Sequence, residues 1–196
     1  MSGAITGVIL AGGQGRRMGG VDKGLRELRG KAMVEWVIER FTPQVDEVLI
    51  NANQNLDVYA RFGHRVIPDE IGGFAGPLAG LQRGLSESSH PLVATSPCDT
   101  PFLPVDLVTR LHAALHADNA QLAVARTGDQ PHPVFCVCRR DVLPHLTAFL
   151  QAGGRKIDAW YATLKVVEVA FDDQAGAFSN INTQAELDAF EIAPPK

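Results

Sequence analysis

Excess positive charge, paired cysteines and long apolar runs are all missing from this 196-residue chain. Lysine and arginine number 18 against 22 aspartates and glutamates, a formal net charge of −4. The surface as a whole is therefore not built to hold nucleic acid, and any anion must be met by a local cluster of basic groups. Cysteine occurs only at Cys98, Cys136 and Cys138, with no CxxC spacing. An odd number, in a chain large enough to bury a good core, argues against a disulfide scaffold and makes a cytoplasmic enzyme the expectation. Cys136 and Cys138 alternate in "VFCVC", so on a strand they share one face, and core packing rather than metal binding is expected of them. No apolar stretch reaches the ~20 residues needed to span a bilayer. No charged segment followed by a long apolar one opens the chain, so no signal peptide is expected. Repeats, low-complexity tracts and long linkers are absent too.

What is there alternates. Residues 5–10, "ITGVIL", read as a short buried strand running into glycines. Residues 31–41 carry apolar side chains at helical spacing. Residues 45–50 form a second strand ending at Asn51, and 65–67 a third ending in "PDE". Pro77 suits the first turn of a helix in "GPLAGLQRGLSESS". "PLVATS" is a fourth strand, broken by "PCDTP". Pro104 and Asp106 start a helix with Val108, Leu111 and Leu115 along one side. Strands follow at 121–126 and 133–139 with the loop "TGDQPHP" between them, then a helix from Asp141 to Ala152 and a late strand in "LKVVEVA". Thr183, three residues before Glu186, marks a capping box for a last helix. This order predicts a mainly parallel sheet with helices on both faces, in one domain over 1–191, with 192–196 as a disordered tail. Ligands of such sheets sit outside the C-terminal strand ends, where Gly12 to Lys23, Asn51, Asp69 and Asp99 fall.

The stretch "LAGGQGRRMGGVDKG" has the look of a phosphate loop. It fails the Walker pattern, because Val21 stands where lysine is required. It fails GxGxxG, because Met18 replaces the third glycine, and no acidic residue ends the second strand. What remains is a strand, a glycine turn and three cations, Arg16, Arg17 and Lys23. Glycines let backbone N–H groups approach phosphate oxygens, and the cations offset the charge of a polyphosphate. Arg16 reads as a solvated surface residue. In "PCDTP", Asp99 is held in a stiff turn, either as a cap or as the single carboxylate that Mg²⁺ needs beside phosphate oxygens. His112 and His116, one helical turn apart, read as a helix face rather than a metal site. Arg155 and Lys156 read as helix-end residues that could also attract a phosphate, Asp172 and Asp173 as an exposed turn, and Trp36 as core.

With "GPLAGL", "PCDTP" and "NINTQAEL" added in the same order, the chain resembles the molybdenum cofactor guanylyltransferase family, the MobA type, over about residues 5 to 190. The resemblance implies a Rossmann-like three-layer α/β/α nucleotidyltransferase fold with a mostly parallel sheet. It implies transfer of GMP from Mg·GTP to the terminal phosphate of molybdenum-bearing molybdopterin, giving the guanine dinucleotide cofactor and pyrophosphate. Residue by residue, it implies that Leu10, Ala11, Gly12 and Gly13 line the nucleotide through the backbone, and that Asn51 and Asp69 contact it. Arg17 and Lys23 would meet the phosphates, and Asp99 would hold Mg²⁺, the one cofactor implied. Gly76, Pro77, Leu78, Gly80, Asn180 and Asn182 would lie between nucleotide and pterin phosphate. His132, between two prolines, is either an acceptor contact or a structural loop residue. The family's "GKP" is here Gly30, Lys31 and Ala32, a departure that touches no chemistry. "LAGG" in place of "LAAG" favours guanine over cytosine, on the argument that a bare residue 12 admits a larger purine edge. The implied partners are GTP and molybdenum-molybdopterin, with proteins that deliver molybdopterin or mature molybdoenzymes, and neither nucleic acid nor membrane. Two alternatives stay open: a related nucleotidyltransferase using CTP or a sugar phosphate, and a non-catalytic carrier of molybdopterin or GTP.

Overall fold

A computed structural model of the chain describes residues 3–13, 22–71, 76–181 and 186–187. The first strand, β1 (Ile5–Leu10), is followed by a short hairpin of β2 (Glu27–Leu28) and β3 (Lys31–Ala32), then by α1 (Met33–Phe41) and β4 (Glu47–Asn51). Next come α2 (Leu56–Ala60), β5 (Arg65–Ile67), α3 (Pro77–Glu87), β6 (Leu92–Pro97) and α4 (Leu107–Ala117). β7 (Leu122–Thr127), β8 (Gln130–Arg139), α5 (Leu143–Gln151), α6 (Ile157–Tyr161) and β9 (Val166–Ala170) complete the order. The main sheet runs β5-β4-β1-β6-β8-β7-β9. All its pairings are parallel except those of β8, which is antiparallel to both β6 and β7. Chain order reverses direction between β1 and β6, which makes the gap beyond Leu10 and Pro97 the topological switch point.

Side-chain alternation along the strands fills two cores, one on each face. Ile5 and Ile9 of β1 join Val34, Val37 and Phe41 of α1 and Leu107, Val108 and Leu111 of α4. Val8 points the other way, toward Leu78, Ala79 and Leu85 of α3 and Leu146, Leu150 and Trp160 beyond them. Close approach demands glycine twice here. A Cβ on Gly7 would stand 2.7 Å from the Phe41 ring, and one on Gly84 would stand 2.6 Å from Val8 Cγ2. Cys136 and Cys138 are free thiols buried in the second core, as their shared strand face requires.

Two elements differ from expectation, and a third lies largely outside the described residues. The helix expected from residue 31 begins at Met33, because Lys31–Ala32 pairs with Glu27–Leu28. Glu35 Oε2 accepts the Ala32 N–H at 2.9 Å and caps that start without the family's proline. The loop expected over "TGDQPHP" is mostly strand, and β8 starts at Gln130. Its prolines are tolerated because β6 pairs only with 136–139, so near residue 131 β8 has a neighbour on one side alone. The last helix is described only at Glu186–Leu187, and its Thr183 cap and the 192–196 tail lie outside the described residues.

Candidate active site

The turn after β1 and the turn after β6 lie side by side because their strands are neighbours. The Cys98 N–H donates to Leu10 O at 3.2 Å, and on the other side the Ala11 N–H donates to Asn51 O at 2.7 Å. Across this switch point Lys23 Nζ donates to Asp99 Oδ2 at 3.3 Å. The Asp99 side chain keeps 13% of its surface exposed and that of Lys23 30%, so the pair is partly solvated rather than in the core.

Asp99 is held from behind. Its carbonyl accepts the Ile181 N–H at 3.1 Å, and Thr100 Oγ1 donates to Asn180 Oδ1 at 2.6 Å. The "PCDTP" and "NIN" segments, eighty residues apart in sequence, are thus joined directly. Lys23 opens a 3-10 turn over Lys23–Leu25 whose cap is Asp22, the carboxylate accepting the Gly24 N–H at 3.2 Å.

The other wall is built from Asn51, Asn53 and Asp69. Asn51, buried at the end of β4, donates from Nδ2 to Ile67 O at 3.1 Å and to Asp69 Oδ1 at 2.8 Å. Asn53 Nδ2 donates to Asp69 Oδ2 at 2.8 Å, and Asn53 Oδ1 accepts the Asp69 N–H at the same distance. Each amide thus holds one oxygen of the carboxylate. A Cβ on Gly12 would lie 2.9 Å from Asn53 Nδ2 and 3.2 Å from Asn51 Oδ1. One on Gly80 would lie 2.3 Å from Asn51 Oδ1. Both glycines therefore make room for protein amides. On the Cβ side of Gly12 these amides already fill the space that a bare residue 12 was expected to leave for a purine edge.

Leu10, Ala11, Gly12, Gly13, Lys23, Asn51, Asp69 and Asp99 are brought together at one sheet edge. Arg16, Arg17 and Asn182 lie outside the described residues. Gly76 sits at φ +65° before α3, and Pro77 opens that helix. Leu78 is fully buried in the core, so its side chain faces the sheet, and Gly80 packs beneath Asn51. His132 lies on β8, with Nε2 2.8 Å from Thr127 Oγ1 and its ring stacked on Phe178 at 4.6 Å. Burial lowers its pKa, and these partners tie it into the fold. Arg155 donates to Leu150 O and Gly154 O, finishing α5 as a helix-end arginine. Trp36 is half-buried and donates to Leu28 O, whereas Trp160 is fully buried and donates to His145 Nδ1. Asn53, Asp22 and Tyr59 were not singled out by sequence. "NANQN" straight after a strand and an aspartate just before a turn are weak signals for the first two, and nothing local marks Tyr59.

Among the described residues no group of three His, Cys, Asp or Glu side chains could hold a metal alone. Asp99 fits a metal shared with a bound polyphosphate, because a single carboxylate that already faces a cation can exchange it for Mg²⁺ completed by phosphate oxygens and water. No helix among the described residues is long and apolar enough to cross a membrane.

Comparison with known proteins identifies the family of the chain. Residues 7–166 match the MobA-like NTP transferase domain. The chain is 50% identical over 192 residues to a molybdenum cofactor guanylyltransferase of Cupriavidus taiwanensis, covering 95% of this chain and 96% of that one. It is 52% identical over 183 residues to the protein of the same name from a Shewanella species, covering 93% of each. Among solved structures, molybdopterin-guanine dinucleotide biosynthesis protein A from Archaeoglobus fulgidus superposes with a TM-score of 0.81 at 24% identity, covering 95% of this chain and 97% of that one. A 4-diphosphocytidyl-2C-methyl-D-erythritolsynthase from Anaerococcus prevotii superposes with a TM-score of 0.73 at 14% identity, covering 96% and 95%. At those identities the two structures speak for the fold alone.

Proposed function

The chain belongs to the molybdenum cofactor guanylyltransferase family of MobA-like nucleotidyltransferases, and from that premise we propose that it transfers GMP from GTP to the terminal phosphate of molybdenum-bearing molybdopterin. A phosphate oxygen of the pterin attacks the α-phosphorus of GTP and forms a new P–O–P link. The bond between the α-phosphorus and the β-phosphate oxygen breaks, and its electron pair leaves with pyrophosphate. The attacking oxygen is already an anion, so the reaction needs no strong general base. The obstacle is bringing one anion up to another, and catalysis rests on positioning and charge neutralisation.

The observation that carries this reading is the Lys23–Asp99 pair at the switch point. Asp99 is the residue suited to hold Mg²⁺ with the nucleotide; bound there, the metal supplies neutralisation of phosphate charge. Lys23, released from Asp99, turns to the phosphates and stabilises the charge that builds on the departing pyrophosphate, and Arg17 serves the same end. Asn51 and Asp69 present fixed polar edges to the nucleoside, and the backbone of Leu10 to Gly13 borders it. Asn180 and Asn182 orient the acceptor phosphate. Such an enzyme works in the cytoplasm, beside the proteins that supply molybdopterin and mature molybdoenzymes.

The test is pyrophosphate release with Mg²⁺, molybdenum-loaded molybdopterin and either GTP or CTP, with the pterin product identified by mass. Release with GTP and a product heavier by GMP are expected. Preference for CTP, or tight GTP binding without release, overturns the assignment.

A further inference from the structure

Tyr59 is fully buried in the core under β4, yet it ends in a polar contact. Its hydroxyl donates to Asp22 Oδ1 at 2.6 Å. The same oxygen accepts the Gly24 N–H at 3.2 Å, and Asp22 Oδ2 accepts Asn55 Nδ2 at 3.1 Å. One carboxylate therefore ties the turn that begins at Lys23 to α2 and to Asn55, the residue at φ 52° that starts that helix. Gly24 lies flush against the clamp. A Cβ there would stand 2.6 Å from Tyr59 Oη and 3.1 Å from both Cβ and Sγ of Cys98, the neighbour of Asp99. The contact thus sets how closely the segment carrying Lys23 approaches the segment carrying Asp99. Burial raises the phenol's pKa, and the nearby Asp22 and Asp99 carboxylates raise it further, so the proton it donates stays in place.

We propose that Tyr59 and Asp22 are positioning residues that hold Lys23 at the switch point opposite Asp99, an inference that rests on reading Lys23 as a phosphate-binding lysine. A phenylalanine at 59 would fill the same core volume. What the hydroxyl adds is a bond to Asp22, and the remaining Asp22 bonds go to the Lys23 turn and the approach to α2. Neither residue needs to touch the nucleotide. Their effect reaches it through the lysine ammonium, whose misplacement by a fraction of an ångström weakens a charge-assisted contact.

The experiment is calorimetric titration of GTP with Mg²⁺ into the unsubstituted protein, Tyr59→Phe, Lys23→Ala and the double variant, with folding of each checked by circular dichroism. Tyr59→Phe is expected to weaken GTP binding about tenfold, while the double variant stays within about twofold of Lys23→Ala, because two residues acting through one contact are not additive. Asp22→Asn, which keeps the volume and loses the anionic acceptor, is expected to move affinity the same way and serves if Tyr59→Phe does not fold. An affinity within twofold of the unsubstituted protein for both Tyr59→Phe and Asp22→Asn overturns the inference. So does a full tenfold loss on the Lys23→Ala background, since Tyr59 would then act elsewhere. Unchanged binding by Lys23→Ala alone is a separate result: it overturns the phosphate reading of Lys23, and the positioning role with it.

Discussion

The parallel strands β4, β1 and β6 carry polar clusters at both of their ends, and the two clusters are wired in opposite ways. At the N-terminal edge, the buried Thr6 hydroxyl donates to Glu47 Oε2 at 2.7 Å, accepts from Ser88 Oγ at 2.8 Å and lies 2.9 Å from His90 Nδ1. Asp46 Oδ2 accepts the Ile5 N–H at 2.7 Å beside it. These groups are one another's partners, and they fasten three strands together. At the C-terminal edge, Lys23 and Asp99 face each other from two separate turns, with part of each side chain open to water. Glycines at 12 and 80 keep the Asn51 and Asn53 amides in place next to them. A closed network contributes stability, because every group in it would be costly to leave unpaired. An opposed acid and base held by independent turns can each exchange its partner for a ligand. The same strands thus provide a fastening at one end and a site at the other.

Substitutions at the two ends should separate these roles. The largest effect is expected from Asp99→Ala, which should lower GMP transfer about a thousandfold, the scale of losing a group that organises transition-state charge. Its thermal midpoint should stay within a few degrees, because the pair is partly solvated and contributes little to folding. Pyrophosphate release and a melting curve on the same preparation check both halves. Near-normal turnover would remove Asp99 from the chemistry.

Gly80→Ala comes next and should affect both properties. The new methyl would lie 2.3 Å from Asn51 Oδ1 and 2.6 Å from Leu10 Cδ2. Overpacking of this kind costs roughly 1–3 kcal/mol of stability. The displaced Asn51 should also weaken GTP binding, by about tenfold if the cost is near 1.4 kcal/mol. Titration alongside chemical denaturation would show whether affinity and stability move together. An unchanged affinity would mean that Asn51 does not face the nucleotide.

The smallest effect on function is expected at the opposite edge. Thr6→Val keeps the shape but strands the partners of the hydroxyl. Stability should fall by about 1–3 kcal/mol, the cost of leaving buried polar groups unsatisfied, with transfer per folded molecule unchanged within about twofold. A loss of turnover well beyond the loss of folded protein would show that the two ends are coupled.

Much of the site was legible because its signals are local. Glycines and cations straight after an apolar strand, and an aspartate between prolines straight after another, are turn chemistry readable within a dozen residues. Cys136 and Cys138 could be placed in the core from strand alternation alone. The start of β8 was less legible, since prolines at 131 and 133 argue against a strand there and the expected strand began only at 133. The strand reaches back to Gln130 because Gly128, at φ +52°, closes a tight turn with Asp129, Pro131 pairs with β7 alone, and Pro133 falls where the β7 register shifts. Asn53, Asp22 and Tyr59 carried almost no signal. An exposed amide, an acid beside a lysine and one aromatic on a five-residue helix are ordinary until their partners are known.

The sequence by itself determined the alternating architecture, the edge of the sheet where a ligand is expected and the membership of a nucleotidyltransferase family. Periodicity, turn residues and motif order are properties of short or ordered stretches of chain. Only the tertiary structure decided that Lys23 meets Asp99, that Gly12 and Gly80 yield their space to Asn51 and Asn53, and that a buried phenol grips the turn carrying Lys23. Those contacts join residues tens of positions apart, and they exist because the sheet sets β4, β1 and β6 side by side. The reversal of strand order between β1 and β6 then opens a gap at their C-terminal ends, where the segments carrying these side chains converge.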